Sequence, residues 1–207
     1  MNGFARAVIG LIVGCFVTHE AAAQDPRLAA RLDKPTQLAV TAIVDSARAA
    51  KLPTAPLVDK ALEGAAAGSD GPRIVGAVRH LAARMTTAQH VLGRRATADE
   101  IKAAAVSMDF GVTARDLARL HTAAGTRSLT MPLAVLTDLL GRGVGLATAS
   151  NLVDQLTRAG VRDGELTLFQ RDVRVDIERG ADPAVAATTR GRGLLLKHSR
   201  PTTRSPE

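Results

Sequence analysis

The stretch "LLGRGVGLATASNLVDQL", residues 139–156, sets three glycines, Gly141, Gly143 and Gly145, at alternate positions with Arg142 between the first two. Glycines this dense suggest a phosphate cradle. A dinucleotide fingerprint, however, needs G-x-G-x-x-G after a strand, and a P-loop needs a lysine followed by Ser or Thr. Here the spacing is G-x-G-x-G, no lysine follows, and the preceding "PLAVLTDLL" has the apolar spacing of a helix. The stretch therefore reads as a helix terminator and tight turn. Gly143 is the left-handed residue, and Gly141 allows close packing in the last helical turn.

The same periodicity recurs on both sides. Leu133, Leu136, Leu139 and Leu140 form one stripe, and Leu146, Ala149, Leu152, Val153 and Leu156 form the next. In "GPRIVGAVRHLAARM", Ile74, Val75, Val78, Leu81, Ala82 and Met85 share a helix face, with Arg73, Arg79 and Arg84 towards water. Val40, Ile43, Val44 and Ala47 repeat the pattern, as do Leu57, Ala61, Leu62 and Ala65, then Ile101, Ala104, Ala105 and Met108, and later Leu166, Phe169, Val173 and Ile177. The chain has no Trp or Tyr and only 4 Phe, and it lacks the β-branched and aromatic richness that strands favour. The expectation is an all-α fold of about eight short amphipathic helices over residues 27–187.

Gly68, Gly111, Gly143, Gly160 and Gly180 each close an apolar stripe shortly before the next begins. In "RGADPAV", Gly180 suits the left-handed position, Asp182 the next N-cap and Pro183 the first helical residue. Thr97 and Thr113 are further caps. With Gly160 taken as a turn inside a pair, the other four glycines fall 43, 32 and 37 residues apart, each interval holding two helices. Two architectures fit: stacked αα-hairpins of the solenoid kind, or an irregular helical bundle.

At the N-terminus, "MNGFAR" precedes the apolar "AVIGLIVGCFV" and the small residues of "AAAQDP". This order predicts a signal peptide over residues 1–23, cleaved between Ala23 and Gln24. The alternative is a lipobox in "IVGC", with Cys15 as a lipidated first residue. Cys15 is the only cysteine, so cleavage at Ala23 leaves a single domain, residues 24–187, without disulfide, thiol or thiolate chemistry.

Chemistry-bearing residues do not form a recognised constellation. His80, His90, His121 and His198 lack metal-ligand spacing, Ser107 and Ser150 lack a nucleophile elbow, and Asp99 and Glu100 open a helix where the dipole favours acids. Asp172 and Asp176 alternate with Arg171, Arg174 and Arg179, as on a solvated face with charge pairs. No catalytic, cofactor or metal residue is assigned.

Net charge is +7, and residues 188–207 hold Arg190, Arg192, Lys197, Arg200 and Arg204 against Glu207, a net +4 of that total. The segment is rich in Gly, Ser, Thr and Pro and is expected to be a disordered basic tail able to meet an anionic membrane or envelope polymer. It lacks aromatics for base stacking, and export argues against nucleic acid. The functional expectation is an exported, periplasmic or secreted, non-enzymatic module that binds another envelope protein. The alternatives are an envelope-surface anchor, with or without lipid on Cys15, and an enzyme or small-ligand protein with a pocket between helices.

Overall fold

The computed structural model describes residues 25–199 and is helical throughout, with no strand among them. Its helices are α1 (Pro26–Arg31), α2 (Lys34–Ala49), α3 (Ala55–Ala66), α4 (Gly71–Leu92), α5 (Ala98–Asp109), α6 (Ala114–Ala124), α7 (Thr130–Gly141), α8 (Leu146–Arg158), α9 (Asp163–Glu178) and α10 (Pro183–Ser199). The seven stripes read from sequence correspond to α2 through α5 and α7 through α9, and α6 follows the Thr113 cap. Helix α1 is too short to display a period.

The starts follow local chemistry. The Asp25 and Asp70 carboxylates accept from the amides of Arg27 and Arg73 at 2.9 and 2.8 Å, and Asp182 accepts from Val185 at 2.9 Å. Thr97 with Glu100, and Thr113 with Asp116, form reciprocal capping boxes on α5 and α6. Each such cap supplies a partner for N–H groups that the first helical turn leaves open.

Six of the stops share one geometry. At the end of α7 the Gly143 amide donates to the Leu140 carbonyl and the Val144 amide to the Leu139 carbonyl, both at 3.0 Å, while Gly143 has φ +90°. This is a Schellman turn, with buried Val144 at the position that packs back on buried Leu139. The same pair of hydrogen bonds closes α3 at Gly68, α5 at Gly111, α8 at Gly160 and α9 at Gly180, all with positive φ. It also closes α2, where the left-handed residue is Lys51, at φ +60°. Gly141 is less constrained than expected: a Cβ there would meet only Phe110, at an ordinary 3.6 Å.

Tight reversals set alternate helices side by side. Helix α2 packs on α4, α4 on α6, α6 on α8 and α8 on α10, while α5 packs on α7 and α7 on α9. The two rows meet where α3 and α5 flank α4, α7 meets α8 and α9 meets α10. The glycine intervals hold α4–α5, α6–α7 and α8–α9, as the spacing implied. Gly93 and Gly125, which sequence reading passed over, have positive φ at the turns inside the first two pairs. Fully buried alanines, among them Ala61, Ala88, Ala104, Ala149 and Ala187, let neighbouring axes approach within one continuous core.

The expected disorder from residue 188 onward is corrected for residues 188–199, which continue α10. Ala186, Ala187 and Gly191 are buried, and a Cβ on Gly191 would collide with Leu152 of α8, so glycine here permits close docking. Burial and the ion pairs described below offset the helix-breaking cost of Gly191 and Gly193. Arg200, Arg204, the expected signal peptide, Ala23, Gln24 and Cys15 lie outside the described residues. No helix among the described residues is long and apolar enough to cross a membrane.

Candidate binding groove

Because α2 packs on α4, the loops that follow them lie together at one end of the molecule. The Gln89 side-chain amide of α4 donates to the Lys51 carbonyl at 3.2 Å and fixes the two ends to each other. Between the α2–α3 and α4–α5 loops runs an open groove of about 1090 Å³. Ala50, Pro53, Ala96 and Ala98 supply accessible apolar lining over the buried Leu52 and Ile101, and the basic side chains are Arg48, Lys51 and Arg94, beside the His90 imidazole. Among the described residues, no carboxylate lines it.

These side chains fall into two sets. Arg48 and His90 occupy the last turns of α2 and α4; the Arg48 charge complements the helix dipole there and is also paired with Asp45. Lys51 and Arg94 lie beyond the helix ends, are exposed, and make no ion pair among the described residues. Capping does not require Lys51, because the Ser46, Ala47 and Arg48 carbonyls already accept backbone amides of the turn.

Two further depressions are electrically self-satisfied. One, of about 570 Å³ between α3, α4 and α5, contains His80 but also the Lys60–Glu63 pair, at 3.0 Å, and the Arg84–Asp109 pair. Arg84, expected towards water, is thus tied to the end of α5. The other, of about 550 Å³, lies between α9 and α10. There Arg190 makes a two-pronged bond to Asp176, with nitrogen–oxygen distances of 2.6 and 2.7 Å, and lies 4.0 Å from Asp172. The Arg190 guanidinium holds the Asp176 carboxyl below its usual range, and its own pKa is raised in turn.

The tail cations are therefore dispersed. Arg190 is engaged by α9, Lys197 borders the same depression, and Arg192 lies two positions round the helix from Arg190, on an exposed face.

The remaining candidates are also structural. His198 lies 3.1 Å from Glu165, joining the end of α10 to the start of α9. The Arg162 amide, and then His198, hold the Glu165 carboxyl below its usual range against slight desolvation. Ser107 is buried and donates to the Ala104 carbonyl at 2.7 Å. Glu100 does more than cap α5: one oxygen accepts from the Thr97 amide and the other from the Leu129 amide ahead of α7, both at 2.9 Å. Partial burial pushes its pKa up, yet these amides and the Thr97 and Ser128 hydroxyls outweigh that and leave it lowered.

Comparison with protein-family models, curated proteins and solved structures gives no match to this chain. Among the described residues, no group of three or more His, Cys, Asp or Glu side chains is placed to hold a metal ion. Sequence reading missed the groove because its residues come from two loops about forty positions apart. One signal was visible in "RAAKLP": an apolar stripe ends as the others do, but with lysine where they have glycine.

Proposed function

We propose that this chain is an exported, non-enzymatic helical module that binds another protein of the cell envelope. The observation that carries this reading is the large groove between the α2–α3 and α4–α5 loops, apolar in part and cationic at its edge, set on the succession of packed alternate helices. Helix pairs stacked in this way form extended surfaces suited to protein contacts. The glycine rhythm supports the stacked αα-hairpin description, with each interval contributing one helix to each row. The order of charge, apolar run and small residues in the first 23 positions supports export.

The test is site-specific photocrosslinking in the native host, with a photoreactive residue at Ala50 in the groove or at Ala123 on α6. A discrete heavier species from Ala50 but not Ala123 is the expected result. Absence of any adduct from either position overturns the module reading. The intact mass of the purified native protein decides its start, with Gln24 expected after cleavage.

A second reading, a surface anchor, draws on exposed Arg192 and Lys197 of α10, followed in sequence by Arg200 and Arg204. A mass corresponding to a diacylated or triacylated Cys15 start, with release from membranes only by detergent, would favour it.

A further inference from the structure

We infer that the groove between the α2–α3 and α4–α5 loops docks an acidic peptide segment that also carries apolar side chains, with Lys51 and Arg94 as the residues that recognise its carboxylates. The inference rests on the binding-module reading and names the chemistry of the partner.

Charge complementarity carries the argument. Lys51 and Arg94 border one groove with no lining carboxylate, and neither has an ion-pair partner among the described residues. Like charges brought to one concave surface repel, whereas an incoming anion is attracted by both. The depressions of about 570 and 550 Å³ contain their own acids, and a further one of about 510 Å³, lined by Arg27 and Arg31 without an acid, has Arg27 paired with Asp25 and Asp59, so among these depressions only this groove brings two unpaired basic side chains together.

Lys51 adds an independent observation. Six turns share the Schellman hydrogen bonds, and five place glycine in the left-handed position. The sixth holds Lys51 at φ +60°, a conformation that costs an L-residue stability compared with glycine. Strain of this kind is retained where a side chain has a task, and this one projects from the groove's edge. Its carbonyl is anchored by Gln89, so the lysine is presented from a fixed backbone.

The occupant is a peptide because of the lining and the size. Pro53 and the accessible alanines Ala50, Ala96 and Ala98 offer apolar contacts that a phosphate group or a polyanionic polymer does not use, and about 1090 Å³ exceeds what a single small anion fills. A peptide carrying Asp or Glu beside Leu, Ile or Val meets both demands.

The test presents random dodecapeptides by phage display to the immobilised full domain, and measures selected peptides by fluorescence anisotropy at low and high salt. Peptides enriched in Asp or Glu with neighbouring aliphatics are expected. Their Kd should rise about tenfold or more in Lys51→Glu, in Arg94→Glu and in the double variant carrying both, and should rise with salt. Lys51→Gly separates binding from folding, since it should raise Tm by relieving the strained turn while still weakening the peptides.

Selection of no acidic peptides overturns the inference. So does unchanged affinity in the double variant, or binding only to phosphatidylglycerol vesicles. A selected peptide that binds the double variant normally, together with an Ala50 photoadduct, leaves the module reading standing and removes only this groove's assigned partner.

Discussion

Replacing Glu100 by alanine is expected to destabilise the fold by about 2–4 kcal/mol, more than an ordinary helix-cap substitution. The capping-box part, the bond to the exposed Thr97 amide, is worth about 1 kcal/mol because water can take over that donor. The Leu129 amide differs: Leu129 is 2% exposed, and its N–H loses a charged acceptor at 2.9 Å. An amide left without its partner in such a position costs about 1–3 kcal/mol. Glu100→Gln keeps the length and an acceptor oxygen but loses the charge, so about 1 kcal/mol is expected after allowing for solvent screening. The assay is urea unfolding followed by circular dichroism, with Tm falling by about 2–4 °C per kcal/mol for a domain of this size.

The pH dependence gives a second readout for the same residue. Because the folded-state pKa of Glu100 is lowered, its contribution is complete above the unfolded-state value of about 4.3 and disappears as pH falls through the folded value. The gap between the parent and Glu100→Gln should therefore be full at neutral pH and close in acid. An alanine variant within about 0.5 kcal/mol of the parent, or a gap that does not change with pH, would refute the bridging role of Glu100.

Other outcomes follow from individual contacts. Gly143→Ala places a Cβ on a residue at φ +90° and should cost about 1–2 kcal/mol, read from urea midpoints. On α10 two nearby glycines should behave oppositely. Gly193→Ala, with open space around it, should stabilise by about 0.5–1 kcal/mol, whereas Gly191→Val should lose about 1–3 kcal/mol by pushing against Leu152. Thr157 is 2% exposed, and its hydroxyl has no hydrogen-bond partner among the described residues, so Thr157→Val should leave Tm unchanged or raise it. Asp176 and Glu165 both have lowered folded-state pKa values, so the hold of α9 on α10 is present above the ordinary carboxylate range and is lost as pH falls through the folded values. Protection factors of α10 amides, corrected for intrinsic exchange, should fall on acidification before those of α7, and an unchanged order of protection would contradict this.

Much of the helical layout was legible locally. Stripes such as Ile74, Val78 and Met85 mark the buried face of α4, and all three side chains are buried. Gly143 was identifiable as left-handed because an apolar stripe ends before it and another begins soon after. The same reasoning failed at α10, where "TTRGRG" looks unfit for a helix. Its order comes from Leu152 and Asp176 on other helices, which no local window contains. It also passed over Lys51, since lysine carries no propensity for the conformation it adopts there.

The sequence by itself determined the helical class, the five glycine stops at Gly68, Gly111, Gly143, Gly160 and Gly180 and the caps at Thr97, Thr113 and Asp182, because these depend on residues within a few positions of each other. Tertiary structure decided which cations remain available. Arg190 in the basic segment is taken up by Asp176, while Lys51 and Arg94, unremarkable in sequence, are brought to one groove without an opposing acid. The physical reason is range: hydrogen-bonded turns close over five or six residues, whereas charge compensation depends on which helices pack together.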